Sequence, residues 1–109
     1  MITITITPRY EEDNLYRLLV QKELELRRNG RGTLHRHGPK KKNQEKWIHA
    51  SYRGWINFQK AFGGTVVAVT QPKDGENEWQ LLTSFVGFLY RHFGKYIASV
   101  HLSFEAINE

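Results

Sequence analysis

The chain opens on strict alternation, with Ile2, Ile4 and Ile6 on one parity and Thr3, Thr5 and Thr7 on the other. A period of two built from β-branched side chains predicts a half-buried β-strand. Pro8 has no N–H to give to a ladder, so the strand is expected to stop there, leaving Thr7 or a following polar residue to cap a helix. The period then changes. Leu15, Leu18, Leu19, Lys22 and Leu26 recur at helical spacing, with Tyr16, Val20 and Leu24 on a second side. Acidic Glu11, Glu12 and Asp13 before this stretch, basic Arg27 and Arg28 at its end, and the stop Asn29-Gly30 agree with the dipole of a helix over residues 15–28.

Alternation returns between Trp47 and Gln71, WIHASYRGWINFQKAFGGTVVAVTQ, which reads as a β-hairpin closed by Gly63-Gly64. A two-residue turn between Phe62 and Thr65 sets Phe58 opposite Val69 and Lys60 opposite Val67 on one side. Ala61 then faces Val66, Gln59 faces Ala68 and Asn57 faces Thr70 on the other. Counted back along the strand, Ile48, Ala50, Tyr52, Ile56 and Phe58 share an apolar face. Trp47, His49, Ser51, Arg53, Trp55, Asn57 and Gln59 share the opposite one. At about 3.3 Å per residue a straight strand from Trp47 to Phe62 would run roughly 50 Å, too long for this chain, so it must bend or fold back, with Gly54 the evident place.

Beyond Pro72, Asp74 or Asn77 is available as the cap of a second helix, EWQLLTSFVGFLYRHFGKY, which Gly94 stops. Its apolar side chains, among them Leu81, Phe85, Phe88 and Leu89, fill an arc of about 200°. One sheet face does not cover an arc that wide, which predicts packing on the first helix or on another subunit. Ile97 to Glu105 then form a last strand, with Val100, Leu102 and Phe104 inward and Ser99, His101, Ser103 and Glu105 outward. The order β-α-β-β-α-β predicts an α+β fold: a four-stranded antiparallel sheet with two helices on one face, the ferredoxin-like arrangement, in a single domain over 1–109.

Composition changes this picture mainly through charge. The net charge of +5 is uneven, because Arg27 to Lys46 carries eight cations against Glu45 alone. Within that stretch Gly30 to Glu45, GRGTLHRHGPKKKNQE, is poor in apolar residues and reads as a mobile basic loop with room for a short strand near Thr33 to His37. Such a patch is the electrostatic footprint of a phosphate-binding surface, the alternative being a solvated loop that keeps the chain soluble. The absence of cysteine excludes a disulfide framework and a thiolate zinc site. No apolar run approaches the ~20 residues of a membrane span and MITITIT is no signal-peptide core, so a cytoplasmic protein without membrane contact is expected.

The chemistry these residues suggest is that of a sheet-platform reader of single strands, in which aromatic rings stack on bases and cations hold the backbone. The expected nucleic-acid-binding residues are Arg31, Arg36, Lys40, Lys41, Lys42, Lys46, Trp47, His49, Arg53 and Trp55. Arg53-Gly54-Trp55 resembles the opening of the RNA-recognition-motif signature. The resemblance ends there: Ile56 and Asn57 stand where a small residue and an aromatic belong, the first strand offers Thr3 and Thr5 but no ring, and no family is assigned.

Two other readings compete. Trp47 and Trp55 could instead bury against a second subunit, making the chain a homo-oligomerising interaction protein. A small basic ribonuclease, independent of metal, could use His49 and Arg53 on one strand face, although His101 on the far edge strand is too distant to pair with His49 within one chain. His35-x-His37, with His49 or His101, has the donors but not the carboxylate pattern of a metal site, so neither metal nor cofactor is assigned. His92, on the apolar arc, reads as a core histidine, and no phosphate loop, nucleophile elbow or paired-carboxylate motif is present.

Overall fold

A computed structural model of the chain describes residues 1–73 and 77–104; Asp74 and Glu105, given roles above as a cap and an outward residue, lie outside them. The elements in order are β1 (Ile2–Pro8), α1 (Leu15–Arg28), β2 (Leu34–Arg36), β3 (Gln44–His49), β4 (Trp55–Lys60), β5 (Val66–Gln71), α2 (Glu78–Phe93) and β6 (Ile97–Phe104). The strands form one antiparallel sheet in the order β2-β3-β4-β5-β1-β6. Ile2, Ile4 and Ile6 are buried as the alternation predicts, and α1 starts at an Asn14 cap whose side chain accepts a hydrogen bond from the Arg17 amide. Asn77 caps α2 through its backbone only, at φ 66°.

The α+β class, with both helices packed on one face of an antiparallel sheet, is as expected, but the sheet has six strands and not the four of a ferredoxin-like layout. Both extra strands come from residues 30–49. Part of the basic stretch forms β2, and the long strand through Gly54 breaks into two, with β3 folded back on β4. Gly54 makes this possible: its φ is +108°, and a Cβ there would lie 2.5 Å from the Gln71 carbonyl oxygen. The expected order survives only as the subset β4-β5-β1-β6.

That reversal corrects the assignment of faces. Trp47 pairs with Ile56, not with the polar set, and both are fully buried beneath the helices. Ile48 pairs with Trp55 on the uncovered side. The β4–β5 register is also corrected by one residue. The connection is a three-residue turn, Phe62–Gly64, closed by the Ala61 amide donating to the Thr65 carbonyl at 2.7 Å. Phe58 therefore meets Ala68, not Val69, and Lys60 meets Val66. A shift of one moves a whole strand to the other face. Val69 is on the uncovered side and Thr70 is in the core, where it donates to Glu78 Oε2 and accepts from the Ile2 amide, both at 2.9 Å.

The core is aromatic at its centre. Trp47 meets Phe58 edge-on at 4.8 Å, Phe88 at 5.2 Å and Phe85 at 6.1 Å, while Tyr16 of α1 reaches Phe58 at 5.7 Å. These contacts answer the wide arc of α2: Leu81, Phe85 and Phe88 are all buried within one chain, so they give no support to a second subunit on that face.

Glu23 is a charged exception inside this layer. Its carboxylate, almost wholly buried on α1, accepts from Arg27 Nε at 3.0 Å one turn later and meets His35 Nδ1 of β2 at 3.1 Å. His35 Nε2 meets the Gly32 carbonyl at 3.0 Å. The group bolts the short edge strand to α1. Glu23→Ala strands both partners, and hydrogen bonds to charged groups carry about 1.5–3 kcal/mol, so a loss of that order is expected in urea unfolding. A loss below about 0.5 kcal/mol, the size of an ordinary surface substitution, would contradict the bolt.

Candidate nucleic-acid interface

The sheet face away from the helices is uncovered by any described residue, and its side chains follow from the registers. Lys46 pairs with Asn57, Gln44 with Gln59, Asn57 with Val69, Gln59 with Val67 and Trp55 with Gln71. All of these but Trp55 floor a groove of about 530 Å³ across β3, β4 and β5. Its wall is the β2–β3 turn, which brings His37, Gly38, Pro39 and Lys41 to the rim. Asn43, at φ 59°, and the Lys41–Gln44 bridge reverse the chain into β3, and the Lys60 amide of β4 donates to the Asn43 carbonyl at 3.1 Å. Lys40 and Lys42 are exposed on the same turn.

Trp55, half-buried, adjoins this groove through its pairing with Gln71, and the Lys46 ammonium lies 4.4 Å from its ring centroid. A cation over an indole face at an exposed site is worth about 0.5–1 kcal/mol, little enough for a stacking ligand to displace. The carboxamides of Gln44, Asn57, Gln59 and Gln71 offer donors and acceptors between Trp55 and the turn.

The ten residues expected at a site thus separate. Lys41 and Lys46 line the groove, Trp55 lies under Lys46 beside it, and Lys40 and Lys42 are exposed on the turn that walls it. Trp47 is corrected: at 0% exposure it cannot stack on a base. Arg36 lies on the helix-covered side by its pairing with Trp47, and its Nε is 3.6 Å from Glu45 Oε2, a carboxylate that also accepts from Trp47 Nε1. His49 sits opposite Leu34, its Nδ1 accepting from the Ser51 amide and its ring on Tyr52 at 4.6 Å. Burial lowers its pKa from the ordinary 6.5. Arg31 lines a separate hollow between α1 and α2 with Arg91 and His92. Arg53 is exposed in the β3–β4 loop.

The other histidines do not assemble either. His35 is engaged by Glu23, His37 lies at the groove rim, and His101, on the uncovered side opposite Thr5, is on β6, four strand spacings, or roughly 19 Å, from β3. His92 is half-buried, its pKa lowered by burial and then by Lys22 and Arg91. Among the described residues no three His, Asp or Glu side chains cluster at metal-binding distance, and no helix is long and apolar enough to cross a membrane. Tyr16, pushed up by burial and by nearby Glu45, is a core phenol.

Comparison of the chain with protein-family models, curated proteins and solved structures finds no match. The chemistry of the groove is therefore the guide to what it takes. Sequence reasoning missed His37, Gln44, Gln71, Val67 and Val69 as part of it, although a three-residue Phe62–Gly64 turn would have placed both valines and Gln71 on the right side.

Proposed function

We propose that this chain is a small nucleic-acid-binding module that takes single strands along the uncovered sheet face. The supporting observation is the groove itself, where Lys41 of the β2–β3 turn and Lys46 border a floor of carboxamides, with the Trp55 indole under Lys46 and paired with Gln71 at its side. A base stacked on Trp55 would displace the Lys46 ammonium toward the adjoining phosphate, while Asn57, Gln59 and Gln71 meet base edges and Lys40, Lys41 and Lys42 neutralise the next phosphates. The floor is narrow and flanked by the turn. Unpaired bases can reach it and a duplex, with its bases stacked inward, cannot.

Anisotropy titrations with labelled single-stranded and duplex oligonucleotides test both parts. Changing Lys40, Lys41 and Lys42 to Ala should weaken binding to every nucleic acid similarly and reduce the salt dependence by just under one unit of slope for each phosphate that is no longer neutralised. Trp55→Ala should cost about 1–3 kcal/mol on single strands and much less on duplex. No binding at low salt, or a Trp55 variant indistinguishable from the parent on single strands, would overturn the reading.

A further inference from the structure

The two edges of the sheet are built differently. At one edge β2 is three residues long, carries Arg36 and is flanked by Arg31 and His37. At the other, β6 runs eight residues, IASVHLSF, without Lys, Arg, Asp, Glu, Pro or Gly, and pairs only with β1 among the described residues. Its ladder with β1 is regular from Ser99 to Phe104, the one irregularity falling near Pro8 and Ile97. Long, flat, uncharged edges are what folded proteins avoid, by shortening, charge, bulges or cover. Among the described residues β6 has none of these over its regular part.

Apolar side chains gather on the same flank. Val100 and Phe104 share the parity of Ile2, Ile4 and Ile6 yet are 37% and 65% exposed, because the helix layer ends before it reaches them. On α2, Trp79 and Tyr90 are 66% and 81% exposed. At 100° per residue they lie, with half-buried Val86, opposite Phe88, whose side of α2 shares a hollow with Leu26 of α1. The Trp79–Tyr90 stripe therefore turns away from α1, toward β6. An exposed apolar patch beside an unpaired edge marks an interaction surface.

We propose that this flank pairs with a second copy of the chain, β6 against β6, antiparallel, about a two-fold axis that passes His101 normal to the sheet. Such an axis keeps both helix layers on one side and requires residues of like parity to face each other. Centring it on His101 sets Phe104 across from the partner's Ala98 and Val100 across from the partner's Leu102, large against small and branched against branched. On the uncovered side Ser99 meets the partner's Ser103, a hydroxyl pair, and no carboxylate or ammonium is forced against its like. The lysine-rich turn joins β2 to β3, roughly 19 Å or more from β6 and beyond a Debye length of about 8 Å, so the charge of that turn opposes this contact weakly. The proposal is independent of what the groove binds.

Sedimentation of the full chain over a concentration series, with β6 amide exchange measured alongside, tests it. The expected result is a species of twice the 12.8 kDa chain mass and amide protection along β6 that rises with concentration. His101 is exposed, so His101→Lys and His101→Glu leave the monomer intact by unfolding midpoint. Each alone should dissociate several-fold more readily than the parent, since like charges then face across the axis, and an equimolar mixture should recover association as a Lys–Glu heterodimer. A monomer at every concentration, as when β6 serves a strand of some other protein, would overturn the proposal. So would a dimer whose two charge variants associate alike alone and mixed.

Discussion

Trp47→Ala will remove most of the chain's stability, while Trp55→Ala, eight residues on, will remove little. The first indole is fully buried with three phenylalanine rings against it, and deleting a buried Trp costs about 3–5 kcal/mol through lost transfer energy and the cavity left behind. A domain of this size has only about 5–15 kcal/mol in all, so the variant is expected to show a urea midpoint far below the parent's, or to be largely unfolded in water. The second indole lies on the uncovered face under a lysine, and its loss should stay within about 1 kcal/mol. Equal midpoints for the two variants would mean that the faces of β3 and β4 are assigned wrongly. The pair also makes the binding test clean, since a Trp55 variant that fails to bind will still be folded.

Gly54→Ala is expected to be nearly as damaging, for a different reason. The added Cβ would lie 2.5 Å from the Gln71 carbonyl oxygen and 2.9 Å from Pro72 Cα, both backbone atoms, at a φ of +108°. Neither neighbour can swing aside as a side-chain tip would. Gly38→Ala serves as its control, with φ +84° but nothing within 4 Å of the new atom. The control should lose about 1–2 kcal/mol from the left-handed conformation alone. Gly54→Ala should lose at least twice that, roughly 3 kcal/mol or more, because the β3–β4 loop must lift off the end of β5. If the two midpoints coincide, the close approach of Gly54 to Gln71 is not holding the hairpin.

These two residues also mark where the sequence was legible and where it was not. The alternation of β1, the helical spacing of α1 and α2 and the strand at Ile97 are properties of single segments, and each is found at the expected place. Gly54 was legible as a break because a straight strand could not fit. Trp47 was not, since parity can be counted only along an unbroken strand. Trp47 and Ile48 are both apolar, so either could have faced the core. The same limit applies at Phe62–Gly64, where a turn of two or three residues is equally compatible with Gly-Gly and decides whether Val69 or Thr70 is inside. The groove was half visible for this reason. Its cations follow from composition and Trp55 from β4, but the residues of β5 and the turn that complete it depend on registers that tertiary packing sets.

The position of β1 bears on how the chain is made. Among the described residues it pairs only with β5 and β6, both synthesised after it. Ile2, Ile4 and Ile6 therefore have no complete ladder until roughly a hundred further residues have been added, on the order of ten seconds at ordinary elongation rates. During that interval an uncharged run of alternating isoleucine and threonine, a composition prone to stack with its own kind, is held only by transient contacts. The nascent chain thus carries an aggregation hazard in β1, and yield will depend on how quickly β6 follows and on whether a chaperone shields the isoleucines until it does.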